Sequence, residues 1–456
     1  MLLELILGVI VLILLLYVWM SWKFTFWTNL GVYQVPTQFP FGSAAFYFKK
    51  KAHFIDVLKK QAEETKNLPY YGFYFMHSPM LIVTDVDMVR NITVKDFDSF
   101  VNRGSSGVMK IFKSGTRTDM IWRQQLTSLE NEEWKSLRST FSPIFTAGKM
   151  KAMMIFMQET CNQLTKHLDG FADSKEDFEI KKSLGKYSMA TIASAAFGVD
   201  AECFTNEKSK FVEYAISIFR PQSLKMMIAM LPFGINIFKA FNISVMKETE
   251  TEFFYNAILS SINHRRTSKT RRNDLIDLML DAIKGDLEED HAKDTDHFDE
   301  AANLNHHHSK KTYDEMVVVS TALVLLVAGY DTTGTTLAYA CFALSKNPEV
   351  QEKLREEVEE VTNGDTEKEI TYDDLQNMTY LDQVLCETLR FYNPAGLLKR
   401  ATSKEYKIPG HDLTIPKDVN IWISSPAIHF DPKHYETPHS FNPDHFTKEA
   451  KASRHP

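Results

Sequence analysis

From Tyr313 to Asn347 the sequence runs YDEMVVVSTALVLLVAGYDTTGTTLAYACFALSKN, without proline and with only Gly329 and Gly334 to weaken a helix. The stretch is apolar on every side, so it predicts a helix through the middle of a large body rather than along its surface. Asn347 and Pro348 mark its end. Asp331 and Thr332 are then expected to be buried, where an ionised carboxylate is costly unless paired or hydrogen-bonded. Two readings account for the polar residues. In one, Thr332, Thr333, Thr335 and Thr336 bond back to carbonyls one turn earlier and Asp331 pairs locally. In the other, Gly329 lets a flat group approach the backbone, while Asp331 and Thr332 set an acid beside an alcohol that relays protons to a buried centre.

With 456 residues the chain exceeds an ordinary single core. Its 32 phenylalanines supply aromatic surface for a core or an apolar pocket. Lys and Arg number 52 against 59 Asp and Glu, a net charge of −7 that gives no reason to expect a nucleic-acid partner. Cys161, Cys203, Cys341 and Cys386 are scattered without zinc-ligand spacing. They imply a reducing, cytosol-facing environment and no disulfide framework.

LLELILGVIVLILLLYVWM, residues 2–20, is long enough to cross a bilayer as a helix. Trp19, Trp22 and Lys23 follow at the interfacial level. We read residues 1–22 as a membrane signal anchor and 23–45 as a stiff hinge built on Pro36, Pro40 and Gly42. Residues 46–456 form the globular body. YYGFYF and MLIVTD predict two strands joined by a turn at His77–Pro79. The chain then reads as mostly helical from about 130 to 350, with strand-and-turn segments beyond 400. Residues 217–242, apolar and rich in Met and Phe, are either plain core or a helix–loop–helix that dips into the membrane. The acidic stretch 284–312, with His306, His307 and His308, is a linker.

Five features occur in order: the anchor, Trp134-x-x-x-Arg138, AGYDTT (328–333), Glu387-x-x-Arg390 and FNPDHF (441–446). This series resembles the cytochrome P450 family of haem-thiolate monooxygenases, of the animal microsomal type, over essentially the whole chain. The resemblance implies a mainly α fold with a small β region, preceded by a single N-terminal transmembrane helix. It also implies haem b held between two helices.

Carried over by residue, Trp134 and Arg138 resemble the pair that binds a haem propionate, and Arg103 and Arg400 the other propionate arginines. Gly329, Asp331 and Thr332 resemble the oxygen-activation segment. Glu387 and Arg390 look like the structural ion pair beneath the haem, with His445 where the family usually has an arginine. Leu325, Ala328, Ala395, Gly396 and Leu397 would line a substrate pocket, with residues 104–122 and 217–242. Lys135, Lys149 and Lys151 would contribute to a basic docking surface.

The resemblance further implies insertion of one atom of dioxygen into lipophilic substrates such as xenobiotics, sterols or fatty acids. Electrons would come from NADPH through a flavoprotein reductase, at the endoplasmic reticulum membrane with the body facing the cytosol. The family's axial cysteine lies in a Phe-Gly-rich loop that the resemblance puts beyond Pro456. The chain is therefore expected to be incomplete at its C-terminus, without a metal ligand of its own and inactive as it stands. The alternative is a non-catalytic, truncated, membrane-tethered protein that binds lipophiles or a reductase.

Overall fold

Leucine, isoleucine and valine dominate residues 2–18, and the computed structural model forms them into a helix, Leu2–Lys23, that is largely exposed, with Tyr17 against Phe39, Trp19 against His77 and only Met20 buried. The structure describes residues 2–45, 54–104, 115–206, 208–220, 222–229, 231, 233–268, 271–284 and 313–454. The expected acidic linker and its three histidines lie outside the described residues from 285 to 312, as does most of the pocket segment between 105 and 114. Two compact units emerge, a smaller one (Met1–Lys113, Met227–Ala240, Ala395–Tyr435) and a larger one (Ser114–Met226, Phe241–Pro394, Glu436–Pro456).

In the smaller unit the apolar helix ends where Lys23 stands over the Trp19 and Trp22 rings, at 5.8 and 5.4 Å. The chain that follows is no free spacer. Gly72 donates its N–H to the Tyr33 carbonyl at 2.7 Å, and Val35 donates to the Gly72 carbonyl at 3.0 Å. Gly42, at φ +66°, lies so close to the Tyr74 and Met76 carbonyls that a side chain would strike them. The segment expected as a hinge is stitched to a sheet edge. Strands β1 (Tyr70–Phe75) and β2 (Ser78–Val83) pair antiparallel through the expected turn. Strands β3 (Leu397–Ala401), β4 (Tyr406–Lys407), β5 (Thr414–Ile415) and β6 (Asn420–Ser424) come from the region beyond 396. The order is β1-β2-β6-β3, with β2 and β6 parallel, and β4 pairs with β5 separately. Alternation along the strands fills both faces. Trp27, Tyr74, Leu81, Ile421 and Ile423 pack on one, and Tyr71, Phe73, Ile82 and Trp422 on the other.

The larger unit is built of helices around the apolar stretch noted first, which forms one helix from Glu315 to Lys346. Its N-terminal end is pinned by the Tyr313 hydroxyl, 2.7 Å from Ser136 Oγ and 3.2 Å from Thr140 Oγ1. Along its length it packs on the helix Ile180–Phe197. Small residues let the two backbones approach. A Cβ at Gly334 would lie 3.0 Å from Ser188 Oγ and 3.1 Å from the Cα of Gly185. Ser188 Oγ donates to the Tyr330 carbonyl at 2.7 Å.

The apolar region 217–242 forms the helices Lys210–Phe219, Ser223–Ala229 and Gly234–Ala240. It is not plain core. Phe233 is 77% exposed, and Leu224, Ile237 and Phe241 are also exposed, more apolar surface than a water-facing segment usually shows.

Candidate functional site

Glu387 and Arg390 fall one helical turn apart on Thr379–Phe391, and both are buried. Arg390 Nε donates to Glu387 Oε2 at 2.6 Å and a terminal nitrogen donates to Oε1 at 2.7 Å, a bidentate fork. The guanidinium donates further to the carbonyls of Pro438 (2.8 Å) and Ser440 (3.2 Å). Glu387 Oε1 also accepts the Asn442 N–H at 2.8 Å and faces His445 Nδ1 at 3.3 Å. His445 Nε2 meets the Glu436 carbonyl. Both ring nitrogens thus face oxygen atoms. The three residues singled out in the sequence come together across 58 positions, with the 436–445 segment held to the helix by one buried charge pair.

The central helix departs from expectation. Thr332 is exposed and Asp331 half-buried, although both were expected inside. The chain's own side chains cover the helix on the Ile180–Phe197 side and leave Ala328, Thr332 and Thr333 open. Thr332 Oγ1 donates to the Ala328 carbonyl at 2.7 Å, and Thr336 Oγ1 to the Thr332 carbonyl at 2.8 Å. The buried Thr335 hydroxyl has no such bond. At Gly329 the crowding comes from Ile192, whose side chain lies 3.2 Å from where a Cβ would stand. Its small size lets Ile192 approach the helix. Leu325 is half-buried on the same helix. Ser188, the other half of this contact, was not singled out in the sequence; only the small-residue spacing Gly185-x-x-Ser188 hinted at it.

The cationic residues divide between the units. In the larger, Trp134 is buried and Arg138 half-buried on the helix Asn131–Phe141, four residues apart on one face. Lys135, expected at a docking surface, is buried beside them with its amine 3.9 Å from Glu132. Its long stem packs inward with the helix's apolar face. Lys151 pairs with Asp373 at 2.8 Å and Lys149 is half-buried. In the smaller unit, Arg400 projects from β3. One terminal nitrogen donates to the Lys399 carbonyl at 2.9 Å, while Nε is buried and makes no hydrogen bond. Burial first, and the neighbouring Arg103 charge second, push its pKa down to about 10. A buried guanidinium whose Nε has no hydrogen bond fits an anionic partner. Ala395 is exposed and Leu397 half-buried. Gly396, at φ +65° with Ile55 where a side chain would go, is a turn residue with no lining surface of its own.

Burial raises the thiol pKa of Cys161, Cys341 and Cys386, and pushes Cys203 up to about 12. Cys203 lies in a turn, not on a helix. Among the described residues no cluster of His, Cys, Asp and Glu is placed to hold a metal.

The family model described as "Cytochrome P450" matches residues 34–456. Cytochrome P450 6B7 of Helicoverpa armigera is 33% identical over 449 residues, 98% of this chain and 84% of that protein. Cytochrome P450 6B2 of the same species is 31% identical over 448 residues, with the same coverage. Cytochrome P450 3A41 of Mus musculus is 32% identical over 391 residues, 85% of this chain and 71% of the relative. Helix-rich architecture with a small β region agrees with that match. An exposed polar stripe on a core helix and a buried guanidinium suited to an anion point the same way. The chain belongs to the cytochrome P450 family of haem-dependent monooxygenases.

Proposed function

We propose that the chain works as a membrane-anchored haem-thiolate monooxygenase. It would insert one oxygen atom of dioxygen into xenobiotics, sterols or fatty acids with electrons from NADPH delivered by a flavoprotein reductase. The observation that carries this reading is the open stripe Ala328–Thr332–Thr333 on a helix whose opposite side is packed on Ile180–Phe197. Haem b, when bound, supplies the redox chemistry that activates dioxygen.

The chain's own groups do the rest. Arg103 and Arg400 take one propionate, which would accept a bond from the buried Arg400 Nε. Trp134 and Arg138 take the other. Thr332 Oγ1 donates a hydrogen bond to the Ala328 carbonyl at rest and can turn its O–H toward the open face. Asp331 beside it exchanges protons with solvent. Gly329, packed on Ile192, fixes how deep the helix sits. The axial thiolate is assigned to none of Cys161, Cys203, Cys341 and Cys386. The uncovered apolar helix Leu2–Lys23 supports a position in the endoplasmic reticulum membrane, and on this reading the body lies on the cytosolic side. Phe233 and Ile237, exposed and in the same unit as that helix, would rest on the bilayer surface.

The test is the carbon-monoxide spectrum of reduced membranes carrying the gene product. The red-shifted haem-thiolate band is expected, and its absence from well-folded protein would overturn the reading. Arg400→Leu separates the cradle from the scaffold. It removes a buried cation with an unsatisfied Nε, so the haem-free chain should unfold at the same temperature or slightly higher. Haem affinity should fall about tenfold or more, since a charge-assisted propionate contact is worth about 1.5–3 kcal/mol. A parallel loss of stability and haem would make Arg400 merely structural.

A further inference from the structure

Tyr339 and Tyr392 belong to neither the buried ion pair nor the open polar stripe. Tyr339 lies on the central helix, and Tyr392 directly follows the helix Thr379–Phe391. Their rings stack with centroids 4.6 Å apart and an interplanar angle of 0°. Phe342 stands edge-on to Tyr392 at 6.1 Å and Phe391 tilts against it at 5.0 Å, which holds that ring on two further sides. Tyr339 is 41% exposed and Tyr392 half-buried. One phenol is thus open to solvent while the other is fixed by its neighbours.

An offset stack is an ordinary packing preference of aromatic rings. Two phenols arranged this way also carry a chemistry that two phenylalanines would not. A phenol that loses one electron and its proton becomes a radical whose spin lies on oxygen and on the ring carbons ortho to it. Two such radicals join through their ring faces, and here the faces already meet. Burial, and then the neighbouring Tyr339, raises the Tyr392 phenol, so the two oxygens lie within electrostatic reach of one another.

We propose that Tyr339 and Tyr392 form an oxidative cross-linking site, at which hydrogen peroxide covalently joins the central helix to the end of the helix carrying Glu387 and Arg390. Each phenol gives up one electron and one proton. A bond forms between one ortho carbon of each ring, and the two ortho hydrogens shift to the oxygens, which restores both phenols. The peroxide takes up the two electrons and two protons, its O–O bond breaks, and two waters leave. This chemistry uses none of the residues assigned above to haem or to proton transfer.

Hydrogen peroxide with a small haem peptide as catalyst, applied to the full chain in nanodiscs, tests it. Dityrosine fluorescence should appear, and a peptide map should show the Tyr339 and Tyr392 peptides joined, lighter by two hydrogen atoms. Reactants held side by side need no encounter between molecules, so the yield per chain should stay constant across about tenfold dilution. Tyr339→Phe and Tyr392→Phe each keep a ring in the stack and remove one phenol. Either change should abolish the joined peptide and most of the fluorescence. Cross-links between other tyrosines, or a yield that falls on dilution, would overturn the site. So would oxidation that ends on Cys341, exposed two positions along the same helix, with no joined peptide. Fluorescence undiminished in both variants would overturn it as well.

Discussion

Arg390→Ala is expected to destabilise the larger unit by about 3–5 kcal/mol, the cost of leaving a buried charge without its partner. Domains of this kind hold only about 5–15 kcal/mol in total, so the variant should be largely insoluble or melt far below the parent. The magnitude follows from what stays behind. The Glu387 carboxylate is fully buried and would keep only the Asn442 N–H and His445. The Pro438 and Ser440 carbonyls would lose their donor as well, freeing the 436–440 turn from the helix. Thermal unfolding followed by circular dichroism checks the size of the effect. Pairing Glu387→Leu with Arg390→Met provides the sharper comparison. An apolar pair of similar volume should be less harmful than either single change, because no orphaned charge remains. If both single variants melted within a degree or two of the parent, the fork would be ornamental.

That network shows how far the sequence could be read. The i, i+3 spacing of Glu387 and Arg390 on an amphipathic helix was visible, and worth little alone. What gives the pair its weight is the 436–445 segment folded back over it, a contact 58 residues distant that no local pattern encodes. The central helix failed in the opposite sense. Its apolarity on every side correctly required a core position, and its span, Glu315–Lys346, came within two residues of the reading. Periodicity could not tell which neighbours would cover which stripe, so Asp331 and Thr332 were expected inside while the chain leaves their face open. Gly329 shows a related limit. A glycine reports a close approach but not the identity of what approaches, here Ile192. Lys135 was taken for surface because lysine usually is, whereas its helix turns that position inward beside Trp134 and Leu137. Regular spacing and breakers are local properties, and the positions that went astray depend on long-range cover.

Thr332→Ala should behave as the reverse of Arg390→Ala, with stability nearly untouched and chemistry impaired. The hydroxyl is exposed, and its one bond returns to the Ala328 carbonyl of the same helix, an interaction that slightly opposes helix geometry. Losing it should change stability by less than about 0.5 kcal/mol, the range of exposed substitutions. Alanine cannot donate a proton, and positioned proton transfer is worth about 10²–10⁴-fold. In the haem-loaded gene product, electrons consumed per product formed should therefore rise by about tenfold or more, with haem content unchanged. Thr332→Ser, which keeps the hydroxyl, should recover most of the coupling, and Asp331→Asn should slow turnover without altering the resting spectrum. The readout that separates relay from scaffold is the ratio of NADPH oxidised to product, since a merely structural threonine would lower both together. An unchanged ratio in Thr332→Ala would return the hydroxyl to a helix-bonding role and leave Asp331 to handle protons alone.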